Sequence, residues 1–250
     1  MNKTSFFDAH CHIGKTPYLE QKAEDLLNKM DQNNVEKAVI CAFGSHIVCK
    51  NKEGNDFISD WVKKYPLRFV GFASVNPWYE AEAIIELKRS ITELGLIGLK
   101  LHPVLQGFQA NDKIVNPLIE TAIQLNIPIF IHSGTPMYSL PLQIFDLAKK
   151  YPDGKFILGH MGGADFYFDI PTSFSKIDNV YLETSLTCHS GYVAEAINKI
   201  GYKRILFGSD SPVSEIDAEL AKIRVLNLSD NEWLHITRLN IENLLLNNLN

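Results

Sequence analysis

The chain has little of what several broad functional classes require. Its 24 Lys and Arg are outnumbered by 29 Asp and Glu, for a formal net charge of -5 over 250 residues, and the basic side chains are scattered. Gripping a nucleic-acid backbone or an anionic membrane takes a basic surplus on one face, so neither is expected as a partner. The four cysteines, Cys11, Cys41, Cys49 and Cys188, form no C-x-x-C pair, which argues against a thiolate metal motif and for a reduced, cytoplasmic chain. The opening MNKTSFFDAH reaches charged and polar residues too soon for the apolar core of a secretion signal. No apolar run approaches the roughly 18 residues of a membrane span. No glycine fingerprint for a dinucleotide follows the first apolar run, and neither Gly98 nor Gly162-Gly163 leads into the Lys-Ser/Thr that grips a phosphate. These glycines are expected to relieve backbone crowding instead.

What the chain does have is a repeating pattern. With 46% hydrophobic residues it can bury one large core, and a single domain over residues 1–250 is expected. Eight short apolar runs, each closed by Gly, Pro, Ser, Asn or His, predict strands at Ser5–His12, Ala38–Phe43, Phe69–Val75, Ile97–His102, Ile127–His132, Phe156–His160, Val180–Ser185 and Ile205–Asp210. Between them lie helix-like segments. In Trp78–Leu94, for example, Ile84, Leu87, Ile91 and Leu94 recur at helical spacing opposite a charged face. Similar covering helices are expected at Glu20–Val35, Asn55–Tyr65, Val115–Leu125, Leu142–Tyr151, Tyr192–Ile200 and Glu215–Val225. The stretch after His160 is less regular because Pro171 interrupts it, and a final helix is expected over about Asp230–Leu249. Runs such as Ile127-Pro128-Ile129-Phe130-Ile131 are apolar on both faces, as covered parallel strands must be. Eight β-then-α units imply a closed (β/α)₈ barrel, a TIM barrel, with a C-terminal helix.

The active site of such a barrel lies at the C-terminal ends of its strands. Five of the eight runs end in residues able to bind a metal: His10 and His12, His102, His132, His160, and Asp210. His10 and His12 are two apart in an extended strand and so point to one side. A lone strand-end histidine is more often a hydrogen-bonded structural residue than a ligand. Here five of the chain's eight histidines converge on one rim, which reverses that expectation. Barrel closure sets strand 8 beside strand 1 and Asp210 beside His10 and His12. Neutral imidazoles with one carboxylate suit Zn²⁺ or a similar divalent ion, and an open coordination position marks a catalytic site. Cys11 points away from its histidine neighbours and is read as an inert, packed thiol. His46 with Cys49, and Cys188-His189, are read as pocket wall at most, and His235 as structural. Trp78, Phe108, Tyr138, Phe166, Tyr167 and Phe168 fall in loops after strands, where pocket lining and rim packing both stay open.

The pieces DAHCHIG, GLKLHP, IFIHSG, ILGHMGG, YLETS and ILFGSDSP, in this order over nearly the whole chain, resemble the amidohydrolase superfamily. The likeness is to its amidohydrolase-related (amidohydrolase 2) branch, the barrel metal-dependent hydrolases that include aminocarboxymuconate-semialdehyde decarboxylase-like enzymes. The closing LNIENLLL resembles that branch's terminal helix. The resemblance implies His10, His12, His132 and Asp210 as ligands of one divalent ion, Zn²⁺ with Mn²⁺ as the other candidate. It also implies that His160 is oriented toward the metal-bound water, and that Asp210 or His160 takes up the water proton and returns it to a leaving group. Lys100 and His102, of equal parity in the fourth run, are expected on the substrate side, with Lys100 contacting substrate or a strand-7 carboxylate such as Glu183. In some branches such a lysine is carboxylated and bridges two metals, and that alternative stays open.

The first expectation is therefore a hydrolase that uses metal-activated water to cleave a C–N or C–O bond in a small molecule. The alternative is a metal-dependent nonoxidative decarboxylase of a small carboxylic acid. Acidic substrates favour a cationic clamp, usually bidentate Arg, but Arg68 and Arg204 precede strands 3 and 8 while Arg89, Arg224 and Arg238 lie on helices. Lys50 and Lys100 remain. A TatD-like DNase ranks third, because that family places Glu where Lys100 stands and the acidic charge offers no phosphate track. A homo-oligomer is compatible with the sequence but not specified by it.

Overall fold

Ile129, Phe130 and Ile131 are all buried, as the doubly apolar run requires: one face meets the barrel interior and the other a covering helix. The same holds around the molecule. The computed structural model describes residues 5–246, and its strands are β1 (Phe6–Lys15), β2 (Glu20–Gln21), β3 (Val35–Ala42), β4 (Phe69–Gly71), β5 (Ala73–Ser74), β6 (Leu99–Leu101), β7 (Ile129–Ile131), β8 (Phe156–Leu158), β9 (Val180–Glu183) and β10 (Ile205–Leu206). The short β2 folds back antiparallel on the end of β1; the rest pair in parallel.

The pairing forms two sheets, β2-β1-β3-β4 and β10-β9-β8-β7-β6-β5, joined at two seams into one barrel. At the first, β4 and β5 are halves of one stave interrupted at Phe72, with Phe72 N–H donating to Ile40 O at 3.1 Å and Ile97 N–H to Gly71 O at 3.0 Å. At the second, Ala9 N–H donates to Phe207 O, Asp210 N–H to His10 O and His12 N–H to Ser211 O, at 2.8 to 2.9 Å. The eight sequence runs are thus the eight staves of a (β/α)₈ barrel. Phe72 turns into the interior, and a Cβ on Gly98 would lie 2.6 Å from its ring, so Gly98 leaves space for an aromatic.

One cluster, with Val39, Cys41, Phe72, Phe130, Ile157 and Leu206, fills the barrel and includes Ile241, Leu244 and Leu245 of the terminal helix. A larger one packs the outer strand faces against the helices. Helices form close to where expected, including Ala23–Gln32, Asn51–Lys64, Glu80–Thr92 and Ser190–Ile200. Pro171 sits in the first turn of a short helix, Ile170–Phe174, where no N–H is needed. The terminal segment departs from the single helix expected. It runs as Asp230–Leu234, a π-helical turn His235–Leu239, and Asn240–Leu246, while residues 247–249 of the expected helix lie outside the described residues. In the π turn, Ile236 O accepts Phe207 N–H at 2.9 Å, so the irregularity docks the segment on the last stave. Among the described residues no helix is long and apolar enough to cross a membrane.

Candidate active site

A break in the register of β1 aims the first two imidazoles. Its pairing with β3 shifts between Asp8 and Cys11. Phe7 and Ala9 belong to the barrel-filling cluster, while Cys11 and Ile13 pack in the outer layer. The shift changes which alternate residues face inward, as a β-bulge does, and the His10 ring meets interior Phe130 at 4.4 Å. Asp8 steadies this step by accepting His10 N–H at 3.0 Å and Ser209 N–H at 2.9 Å, and burial pushes its carboxyl up to about 7. Across the mouth, Asp210 and His160 stand on left-handed backbone, φ 56° and 64°, a conformation that costs a non-glycine residue about 1–3 kcal/mol and clusters at functional sites.

These elements bring the donors together. His10 Nε2 lies 3.1 Å from His12 Nε2, and each is 3.3 Å from Asp210 Oδ1. His10, His160 and Asp210 each offer an atom within 4.8 Å of the others. An ion bound at about 2.0–2.2 Å spaces tetrahedral ligands by roughly 3.3–3.5 Å, so the His10–His12–Asp210 triangle fits one divalent ion. The second nitrogens are anchored away from it: His12 Nδ1 to Ala42 O at 2.8 Å, His160 Nδ1 to Ser185 Oγ at 2.9 Å. Burial lowers the basicity of His10, His102, His132 and His160, which keeps them in the neutral, metal-binding form. Burial alone would raise Asp210, but His10 and the hydrogen bond from His12 outweigh it and hold the carboxyl below the usual range.

His132 stands one step back from the tightest cluster, with Nδ1 2.9 Å from His160 Nε2 and Nε2 3.1 Å from Thr135 Oγ1. His102 stacks on it at 3.9 Å and 14°. Lys100 is fully buried, its Nζ 2.7 Å from His10 Nε2 and 3.7 Å above the Phe130 ring. Its hydrogen-bond partner is thus His10 rather than Glu183, and it lies beneath the floor of the pocket. The cavity above is about 160 Å³. Its floor is His12, His102, His132, His160 and Asp210, and its walls are Phe43, Ile47, Leu105, Leu186 and Val213.

Of the loop aromatics expected near the mouth, Trp78 and Phe168 are exposed while Phe108 and Tyr167 are buried, and none borders this cavity. His46 packs on Phe57 and His235 bonds Asn240, both away from the donors. Phe43, stacked on His12 at 5.0 Å, was missed although it closes a predicted strand, where the strand-end rule applies. Ser185, two residues beyond Glu183, was also missed although it shares that residue's parity. The apolar walls left no mark, since nothing distinguishes them from core residues.

Residues 7–242 match the model of the amidohydrolase family. The chain belongs to that family. Together with the donor cluster, this makes it a metal-dependent enzyme. The curated relatives include a gamma-resorcylate decarboxylase from a Polaromonas species, 29% identical over 66% of this chain and 67% of the relative. Another is a 2-amino-3-carboxymuconate-6-semialdehyde decarboxylase from Dictyostelium discoideum, 33% identical over 63% and 55%. Among solved structures, a dihydroxybenzoic acid decarboxylase from Polaromonas with bound manganese superposes with a TM-score of 0.76 at 23% identity, covering 98% of this chain and 97% of that one. The family's name suggests hydrolysis, but these relatives are decarboxylases, and the expectation of a C–N or C–O hydrolase is corrected accordingly. The misreading has a physical source. An ion held by imidazoles and a carboxylate serves either chemistry, and the missing arginine clamp was given too much weight.

Proposed function

We propose that this family member is a metal-dependent nonoxidative decarboxylase of a small carboxylic acid, its chain forming a single domain. His10, His12, His132 and Asp210 are its proposed metal ligands, with His160 beside them; Zn²⁺ and Mn²⁺ both suit this donor set, and the manganese of the Polaromonas structure supports the second. Such an ion would hold the substrate's anionic oxygens and stabilise the negative charge left as CO₂ departs.

The observation that carries the reading is the pocket's division into a donor floor and five apolar walls. Losing CO₂ disperses the charge of a carboxylate, so apolar surroundings favour the step, and Leu105, Leu186 and Val213 are part-exposed walls that leave a mouth for substrate and CO₂. The size fits a compact substrate, since an apolar cavity of about 150 Å³ accommodates benzene. His102, stacked on His132, offers a planar surface for orienting such a molecule, and Lys100, its basicity lowered by burial, sits beneath the donors with Nζ 2.7 Å from His10 Nε2. The carbon that loses CO₂ must gain a proton. His160 is the better carrier, because Asp210 is held in its ionised form and gives up a proton less usefully. The four cysteines are unpaired, as suits a reducing compartment.

The test is CO₂ release from metal-loaded protein over a panel of small aromatic and unsaturated acids, run beside amides and lactones. Metal-dependent CO₂ release that His160→Asn reduces supports the proposal. Turnover of an amide or lactone with no acid decarboxylated would sink it.

A further inference from the structure

Glu183 ends β9 with its carboxylate wholly enclosed, and no step above uses it. Its Oε1 accepts Ser185 N–H at 2.6 Å, and its Oε2 accepts Ser185 Oγ–H at 2.9 Å and His160 N–H at 3.2 Å. The same Oε2 lies 3.3 Å from His10 Nδ1, a buried nitrogen with no hydrogen bond of good geometry. His160 Nδ1 reaches the carboxylate through the Ser185 hydroxyl, 2.9 Å away. Two of the three side chains in the donor cluster thus lead back to one carboxylate. The cradle is shaped for it, since a Cβ on Gly208 would lie 2.2 Å from Glu183 Oε1. Any side chain at Gly208 would push the carboxylate out of place.

We infer that Glu183, acting with Ser185, is the positioning carboxylate of the metal centre, fixing the tautomers of His10 and His160 so that His10 turns Nε2 toward the ion and His160 turns Nε2 into the pocket beside it. An imidazole has one N–H and one lone pair when neutral. A carboxylate accepting the Nδ1–H leaves the lone pair on Nε2 and makes it a better donor. At His10 the contact is direct; at His160 the Ser185 hydroxyl takes the imidazole proton's hydrogen bond and passes its own to Oε2. The inference rests on the metal-centre part of the proposed function and is independent of which reaction follows.

The experiment measures Zn²⁺ and Mn²⁺ affinity by chelator competition for wild type, Glu183→Gln, Ser185→Ala and Gly208→Ala, with the melting temperature of each metal-free protein alongside. Glu183→Gln should bind both ions about 10- to 100-fold more weakly. Ser185→Ala, which cuts the His160 link but leaves Glu183 in direct contact with His10, should lose less. Gly208→Ala changes no hydrogen-bonding group, yet it should weaken binding in the same direction by displacing the carboxylate. Cobalt-loaded Glu183→Gln should show a shifted visible spectrum, which a packing defect remote from the ligands would not produce. Wild-type metal affinity in a folded Glu183→Gln overturns the inference, as does a loss fully accounted for by a less stable metal-free state. Should Glu183→Gln fail to fold, unchanged affinity in both Ser185→Ala and Gly208→Ala overturns it. Failure of wild type to bind either ion overturns the metal centre as well, so the two failures are distinguishable.

Discussion

At Asp210 the backbone is left-handed, the carboxyl is held below its usual range, and its Oδ1 lies 3.3 Å from both His10 and His12, so in the proposed metal centre one side chain would bind the ion and carry charge beside the substrate. Asp210→Asn keeps the shape and one donor oxygen but loses the charge. Turnover should fall by roughly 10² to 10³, as loss of one electrostatic group at a reacting centre does, while bound metal, measured on the same preparation, falls far less. Lys100 separates one metal from two. If its amine stays free, Lys100→Met should leave about one ion per chain and weaken carboxylate binding. Were it carboxylated, the change would halve the metal and make reconstitution of the wild type depend on bicarbonate. The histidines and Asp210 were legible in the sequence because strand ends and parity suffice to place them. The Glu183–Ser185 link was not, since a carboxylate at the end of a strand looks the same whether it meets water, a lysine or an imidazole.

Between residues and barrel, the terminal segment shows how little local pattern says about docking. Its helical period was readable, yet the π turn exists because the last stave needs Ile236 O as an acceptor, a tertiary demand that no periodicity records. Arg238 within that turn pairs with Glu36 at 2.7 Å and Glu242 at 2.9 Å, tying the segment to β3. The Arg238 hydrogen bond holds Glu36 down at about 2 from an ordinary 4.5. The folded value is the lower one, so the link contributes above about pH 4.5 and its contribution is lost as pH falls toward 2. Glu36 is 44% exposed, and screening limits the gain to at most about 1 kcal/mol. Denaturant titrations of Glu36→Gln should show a deficit of that size at pH 7 that closes as the solution is acidified; a constant deficit would assign it to something other than charge. The bulge in β1 was likewise invisible, because inserting a step into a strand changes which residues face inward without changing their identities.

Over the whole molecule, a ligand that binds only the folded state stabilises it by mass action. At free metal about 100-fold above the dissociation constant the gain is about 2.7 kcal/mol, or roughly 5 to 10 °C in melting temperature for a chain of this size. Stripping the ion with a chelator should lower the melting temperature by that amount and restoring it should reverse the change. His10→Ala/His12→Ala, folded by circular dichroism, should no longer respond. The eight-unit repeat gave the barrel away because buried parallel strands must be apolar throughout, whereas the chemistry stayed ambiguous because one donor set serves several reactions.

The two seams give the ion a role apart from chemistry. His10 and His12 come from the four-stranded sheet, while His132 and Asp210 follow β7 and β10 of the six-stranded one, so an ion shared among these proposed ligands would be a rivet through the joint between the sheets. Amide protons at that joint, those of Ala9, His12 and Asp210, should then exchange with deuterated solvent more slowly in the metal-loaded protein. The amides of Phe72 and Ile97 line the other joint, which no donor crosses, and their exchange should change less.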